Sequence, residues 1–137
     1  MKTVNRQIIL LLFFTLTLTG CYKSYDYSSG VEDIVSKGNW IVNYYYENGD
    51  LTDEYQKYRF EFHSSGMVSY TLNADLHSGT WRRSTDSDQN EFLILEFNTH
   101  DQNIEKLNHE WKVISRSNSL LEFTSGTTST LHIARLY

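Results

Sequence analysis

Apolar and polar residues alternate along most of the chain. Tyr58, Phe60 and Phe62 are interleaved with Arg59, Glu61 and His63, and Val68, Tyr70 and Leu72 with Ser69 and Thr71. A period of two puts each apolar set on one face of an extended strand. The segment 40–46 is dense in aromatic and β-branched residues, and 92–97 is strongly apolar. Further strands are expected over 80–83, 107–115, 120–124 and 130–136, which makes eight. Turn signals separate them at Asn48-Gly49-Asp50, Ser64-Ser65-Gly66, His77-Ser78-Gly79, the polar stretch 84–90, and Arg116-Ser117-Asn118. One helical pattern precedes them. Val31, Ile34 and Val35 share a helical face, Ser29 and Glu32 have capping-box spacing, and Gly38 follows as a stop.

Sequential hairpins of this kind predict an all-β fold, an eight-stranded antiparallel up-and-down meander barrel with a short N-terminal helix. The chain has 137 residues and no Pro, which fits strands whose amides are needed for ladders. With 39% hydrophobic and 15% aromatic residues it can fill one core. A single Cys excludes an intrachain disulfide and a Cys-based zinc cluster. The formal charge of −5 argues against a partner built on a phosphate backbone, so no nucleic acid is expected.

The N-terminus breaks the period of two. Lys2 and Arg6 precede an apolar run from Ile8 to Leu18, far short of the about 20 residues that span a bilayer. Leu18-Thr19-Gly20-Cys21 follows and resembles the lipobox of bacterial lipoproteins. The resemblance implies a signal peptide over 1–20, cleavage before Cys21, and a diacylglyceryl thioether on the Cys21 thiol, with residues 21–30 as lipidated Cys and tether. Two or more acyl chains give stable anchoring. Losing Lys2 and Arg6 leaves 10 basic against 17 acidic residues, a mature charge of −7. The expected location is the bacterial cell envelope, at the outer membrane, with the membrane reached through the covalent lipid.

Residues 31–137 make up the barrel domain. Gly38-Asn39-Trp40 at its first strand resembles the Gly-x-Trp of lipocalins and related calycin barrels, and the order Phe60, Phe62, Gly79-Thr80-Trp81, Trp111 and Leu131-His132-Ile133-Ala134-Arg135 extends the likeness to small lipocalin-like lipoproteins of bacteria. That resemblance implies that Trp40 closes one end of the barrel and that Arg135 packs across its ring as a cation–π partner.

Catalytic and metal chemistry is not signalled. His63, His77, His100, His109 and His132 form no metal-binding spacing. His63 and His132 are expected on strands facing away from the aromatic stripes, and the other three in turns. Asp86, Asp88 and Asn90 begin like a calcium loop, but Glu91 stands where Gly is needed and Phe97 where Glu is needed. Glu47, Asp50, Asp53 and Glu54 read as a charged loop rim, and no Gly-x-Ser-x-Gly elbow occurs. No catalytic residue, metal or cofactor is therefore expected. Tyrosine is abundant, with 10 residues, and it clusters around the first long loop. Tyr44, Tyr46, Tyr55 and Tyr58 are the candidates for a barrel mouth that takes a small apolar or amphipathic ligand. The alternative is a filled barrel acting as an accessory subunit on an envelope protein partner. An empty apolar cavity above about 300 Å³ near the Tyr-rich loop would favour the ligand.

Overall fold

A computed structural model describes residues 30–137. The expected signal peptide, Cys21, Ser29 and most of the expected tether lie outside the described residues. Eight antiparallel strands close into a barrel in sequence order: β1 (Asn39–Glu47), β2 (Arg59–Phe62), β3 (Met67–Leu72), β4 (Asp75–Thr85), β5 (Glu91–Glu96), β6 (Glu110–Arg116), β7 (Leu120–Ser125) and β8 (Ser129–Leu136). β8 returns to β1, with Trp40 opposite Arg135 and Tyr46 opposite Thr130, so the meander closes as the alternation predicts. A short helix, α1 (Val31–Val35), lies across the end where β1 begins.

Inward positions alternate as a half-buried strand requires. Trp40, Phe60, Phe62, Val68, Tyr70, Leu93, Leu95, Trp111, Phe123 and Leu131 are all buried in one core. Trp40 is fully buried, and its indole N–H donates to the Val35 carbonyl at 2.7 Å. That bond fastens the end of α1 over the barrel. Arg135 lies across the Trp40 ring, its guanidinium carbon 5.8 Å from the centroid. The same guanidinium donates to the carbonyls of Lys37 and Asn118. Gly38 at φ +96 lets the chain turn tightly under it, where a Cβ would be 3.0 Å from Arg135 Nε.

Several elements depart from the sequence reading. The turn expected at His77-Ser78-Gly79 lies instead at Asn73-Ala74, both left-handed at φ 51 and 73, as a two-residue I′ connection requires. His77, Ser78 and Gly79 therefore belong to β4, which starts five residues earlier than the alternation suggested. The expected Ser29–Glu32 capping box is replaced by Gly30 as N-cap, with no side-chain cap bond. The Val31 N–H donates to Glu91 Oε1 at 2.8 Å, and Glu32 turns to Arg83 at 3.1 Å. Two short helical pieces occupy the longest connections: a 3₁₀ turn (Thr52–Tyr55) between β1 and β2, and α2 (Gln102–Glu105) between β5 and β6. β6 accordingly starts at Glu110, later than expected, and Leu107 plugs the core from the loop.

Candidate functional site

The far end of the barrel, opposite α1, carries the two long connections and most of the tyrosines. β1 reaches it through a β-bulge between Val42 and Tyr44. The extra residue reverses the inward parity. Tyr45 is turned into the core and Tyr44 and Tyr46 are turned out. Tyr55 follows from the 3₁₀ turn and Tyr58 from the start of β2, both buried. The rings of Tyr45, Tyr55 and Tyr58 pack in sequence, with centroids 5.0 and 5.9 Å apart.

Each hydroxyl reaches the opposite connection. Tyr58 donates to Asp101 Oδ2 at 2.6 Å, and Tyr55 to the Asn103 carbonyl at 2.7 Å. The Tyr45 hydroxyl lies 3.2 Å from both Glu47 Oε2 and the Lys106 carbonyl. Asp101 is also the N-cap of α2, its Oδ1 accepting from the amides of Asn103 and Ile104. The tyrosines thus lock the 3₁₀ turn to α2. Burial pushes their pKa values up, because it disfavours the charged phenolate. It holds Tyr55 and Tyr45 well above the ordinary phenol value, with the Glu47 charge adding at Tyr45. Tyr58 is pushed up to about 12, first by desolvation and then by the hydrogen bond and charge of Asp101.

The mouth expected from Tyr44, Tyr46, Tyr55 and Tyr58 is therefore divided. Tyr55 and Tyr58 are its plug, and the bulge sends Tyr44 and Tyr46 to the outer wall. There Tyr44 lies against His132, with centroids 5.1 Å apart, and His132 Nδ1 is 3.9 Å from Glu122. Inside the barrel, a cavity of about 10 Å³ is lined by Val42, Phe60, Phe62, Leu93, Leu95, Leu107, Leu131 and Ile133. That is the space of about one water, with no polar partner to hold it.

The polar candidates are bound locally. Asp50 accepts from the hydroxyl and the amide of Thr52, which lowers its pKa. Asp86 accepts from the Asn90 side chain and from the amides of Asn90 and Asp88, and these bonds close the β4–β5 hairpin and lower its pKa too. His77, expected in a turn, stacks on Tyr70 from β4 with centroids 4.9 Å apart. His109 stands edge-on to Trp111 and 4.0 Å from Glu47. Among the described residues, no group of three or more His, Cys, Asp or Glu is placed to hold a metal ion.

Sequence reasoning missed a charged cluster at the α1 end. Glu91 is 8% exposed at an inward position of β5. It accepts from the Val31 amide, from Arg83 Nε at 2.7 Å and from Arg116. A carboxylate at the head of the apolar run 91–97 was the available signal.

No protein-family model and no curated protein matches the chain. Among solved structures, a DUF4847 family protein from Bacteroides vulgatus has a similar fold. The TM-score is 0.59 at 15% identity, and the match covers 78% of this chain and 98% of that one. At that identity the likeness carries the barrel fold alone.

Proposed function

We propose that this chain is a non-enzymatic lipoprotein of the bacterial cell envelope, anchored at the outer membrane through Cys21, whose lipocalin-like barrel serves as a protein-interaction module in an envelope complex. The filled interior carries this reading. A cavity of about 10 Å³ holds no apolar or amphipathic ligand, and Tyr55 and Tyr58 are tied across the end of the barrel where a mouth would open. A barrel without internal room acts through its outside. The sequence Leu18-Thr19-Gly20-Cys21, which resembles a lipobox, supports the anchor.

Native mass spectrometry of the full chain, extracted from membranes in detergent, tests the reading. The expected mass is the chain from Cys21 with its covalent acyl groups and no further small molecule. A reproducible lipid-sized non-covalent adduct that survives detergent exchange would return the barrel to ligand carriage. Cys21→Ser is expected to abolish both the acyl mass and membrane sedimentation, and an uncut but membrane-bound variant would refute the lipid anchor.

A further inference from the structure

A closed barrel has no free edge, but this one closes unevenly. β5 ends at Glu96, which stands opposite Thr80. Residues 75–79 of β4 therefore pair with β3 alone. The Trp81 amide donates to the Gly66 carbonyl at 2.9 Å on the β3 side. Main-chain direction alternates along a strand, so Leu76 and Ser78 turn their N–H and C=O groups the other way. β5 is not there to meet them. After Glu96 the chain bends over the barrel mouth, where the Asn108 side-chain amide takes both main-chain groups of Phe97 and Thr99 meets Tyr70. Gly79 marks the divergence, since a Cβ there would be 2.6 Å from the Glu96 carbonyl oxygen.

Four main-chain hydrogen-bonding groups are thus left in a row on a straight edge. Natural edges are guarded by charged side chains, especially Lys, by Pro or by a bulge, and residues 75–79 (Asp-Leu-His-Ser-Gly) carry of these only Asp75, at the segment's end. Leu76 beside them is 74% exposed. The surrounding segments 73–79 and 96–101 carry Asp75, Glu96 and Asp101 and no Lys or Arg. Leu76 also lies roughly 24 Å along β4 from Arg83, which packs at the α1 end.

We propose that the Leu76–Ser78 edge accepts an extended, basic segment of a partner protein as an added strand. Main-chain bonds to Leu76 and Ser78 would fix it, Lys or Arg side chains on one face would meet Asp75, and apolar residues on the other would cover Leu76. This rests on the interaction-module reading and names the surface and the partner's chemistry.

Amide exchange by NMR on the full chain in detergent micelles tests it, with a synthetic nonapeptide of alternating Lys and Val as probe. In the free chain the Leu76 and Ser78 amides should exchange on the order of 100-fold faster than those of His77 and Gly79, and the peptide should protect them. Methylating alternate peptide nitrogens, or replacing Lys by Glu, should weaken binding by about 10-fold or more. Ser78→Pro removes an outward N–H and no β3 ladder bond, so it should keep the fold and lose the peptide. Should that variant fail to fold, the methylated peptide still decides. Equal binding of the methylated or the Glu peptide overturns the proposal. So does protection of both amides in the free chain, whether or not it accompanies dimer formation in sedimentation. None of these results touches the module reading, which falls instead to a bound lipid-sized mass.

Discussion

At the scale of single residues, the most consequential side chain is one whose type conflicts with its position. Glu91 occupies an inward, buried site at the head of β5 and is made tolerable by the Val31 amide and two guanidinium groups, Arg83 and Arg116. It thereby ties α1 to the barrel. Removing the carboxylate leaves two arginines without their shared acceptor and a helix N–H without its own. Glu91→Ala is expected to cost about 2–3 kcal/mol, below the range for fully buried pairs because both arginines are partly exposed. The midpoint of urea unfolding reads this directly. Replacing Arg116 by Met in the Glu91→Ala background should cost less than the sum of the two single changes, since the bond between the two side chains can be lost only once. The anomaly was visible in the sequence, because a Glu heading the run Phe-Leu-Ile-Leu is out of pattern. Its partners were not, since Val31, Arg83 and Arg116 come together only when the barrel closes.

At the scale of elements, period two was enough to place eight strands, because a sheet with one buried face forces alternation. It failed wherever one residue shifted the count. The bulge after Val42 exchanged the roles of Tyr45 and its neighbours, and nothing in a Tyr-Tyr-Tyr run shows which ring faces the core. The Asn73-Ala74 turn was hidden because Ala rarely takes a left-handed conformation, whereas Gly79 advertises a turn and instead makes room for Glu96 and Phe97. α2 is four residues long, too short to show a helical period, although Asp101 ahead of Ile104 has the spacing of an N-cap before a buried face. The two connections that hold these short helices are joined by phenol hydroxyls, and that makes the joint pH-dependent. Tyr58 ionises near 12 in the folded chain and near 10 when unfolded, so the protonated phenol favours the fold. This contribution is complete below about pH 10 and is lost as pH rises through about 12, with Tyr45 and Tyr55 extending the loss further. The unfolding midpoint in urea is expected to fall steadily between pH 10 and 12, by about 1.4 kcal/mol per pH unit for each phenol ionised only in the unfolded state. Tyr58→Phe should make that decline shallower, and an unchanged slope would mean that Tyr58 ionises equally well in both states.

At the scale of the whole molecule, an eight-stranded barrel is the size at which side chains can just fill the interior. Whether they do depends on inward volume, which no single strand reveals. Here three tryptophans and a belt of Phe and Tyr supply it: Trp40 and α1 close one end, and Tyr45, Tyr55 and Tyr58 close the other. The central layer of Phe60, Phe62, Leu93 and Leu131 leaves about 10 Å³ between them. A filled barrel and a ligand carrier respond oppositely to small apolar molecules, since only a preformed cavity gains stability from them. Saturating benzene is therefore expected to leave the thermal midpoint of the unaltered protein where it is. Phe60→Ala should lower stability by about 3–5 kcal/mol by opening a dry cavity in that layer. The same benzene should then restore part of the loss, because an apolar void takes up an apolar guest that water cannot replace. A rise in the midpoint of the unaltered protein would mean that the barrel opens to ligands after all, and its outer wall would no longer be the surface on which function rests.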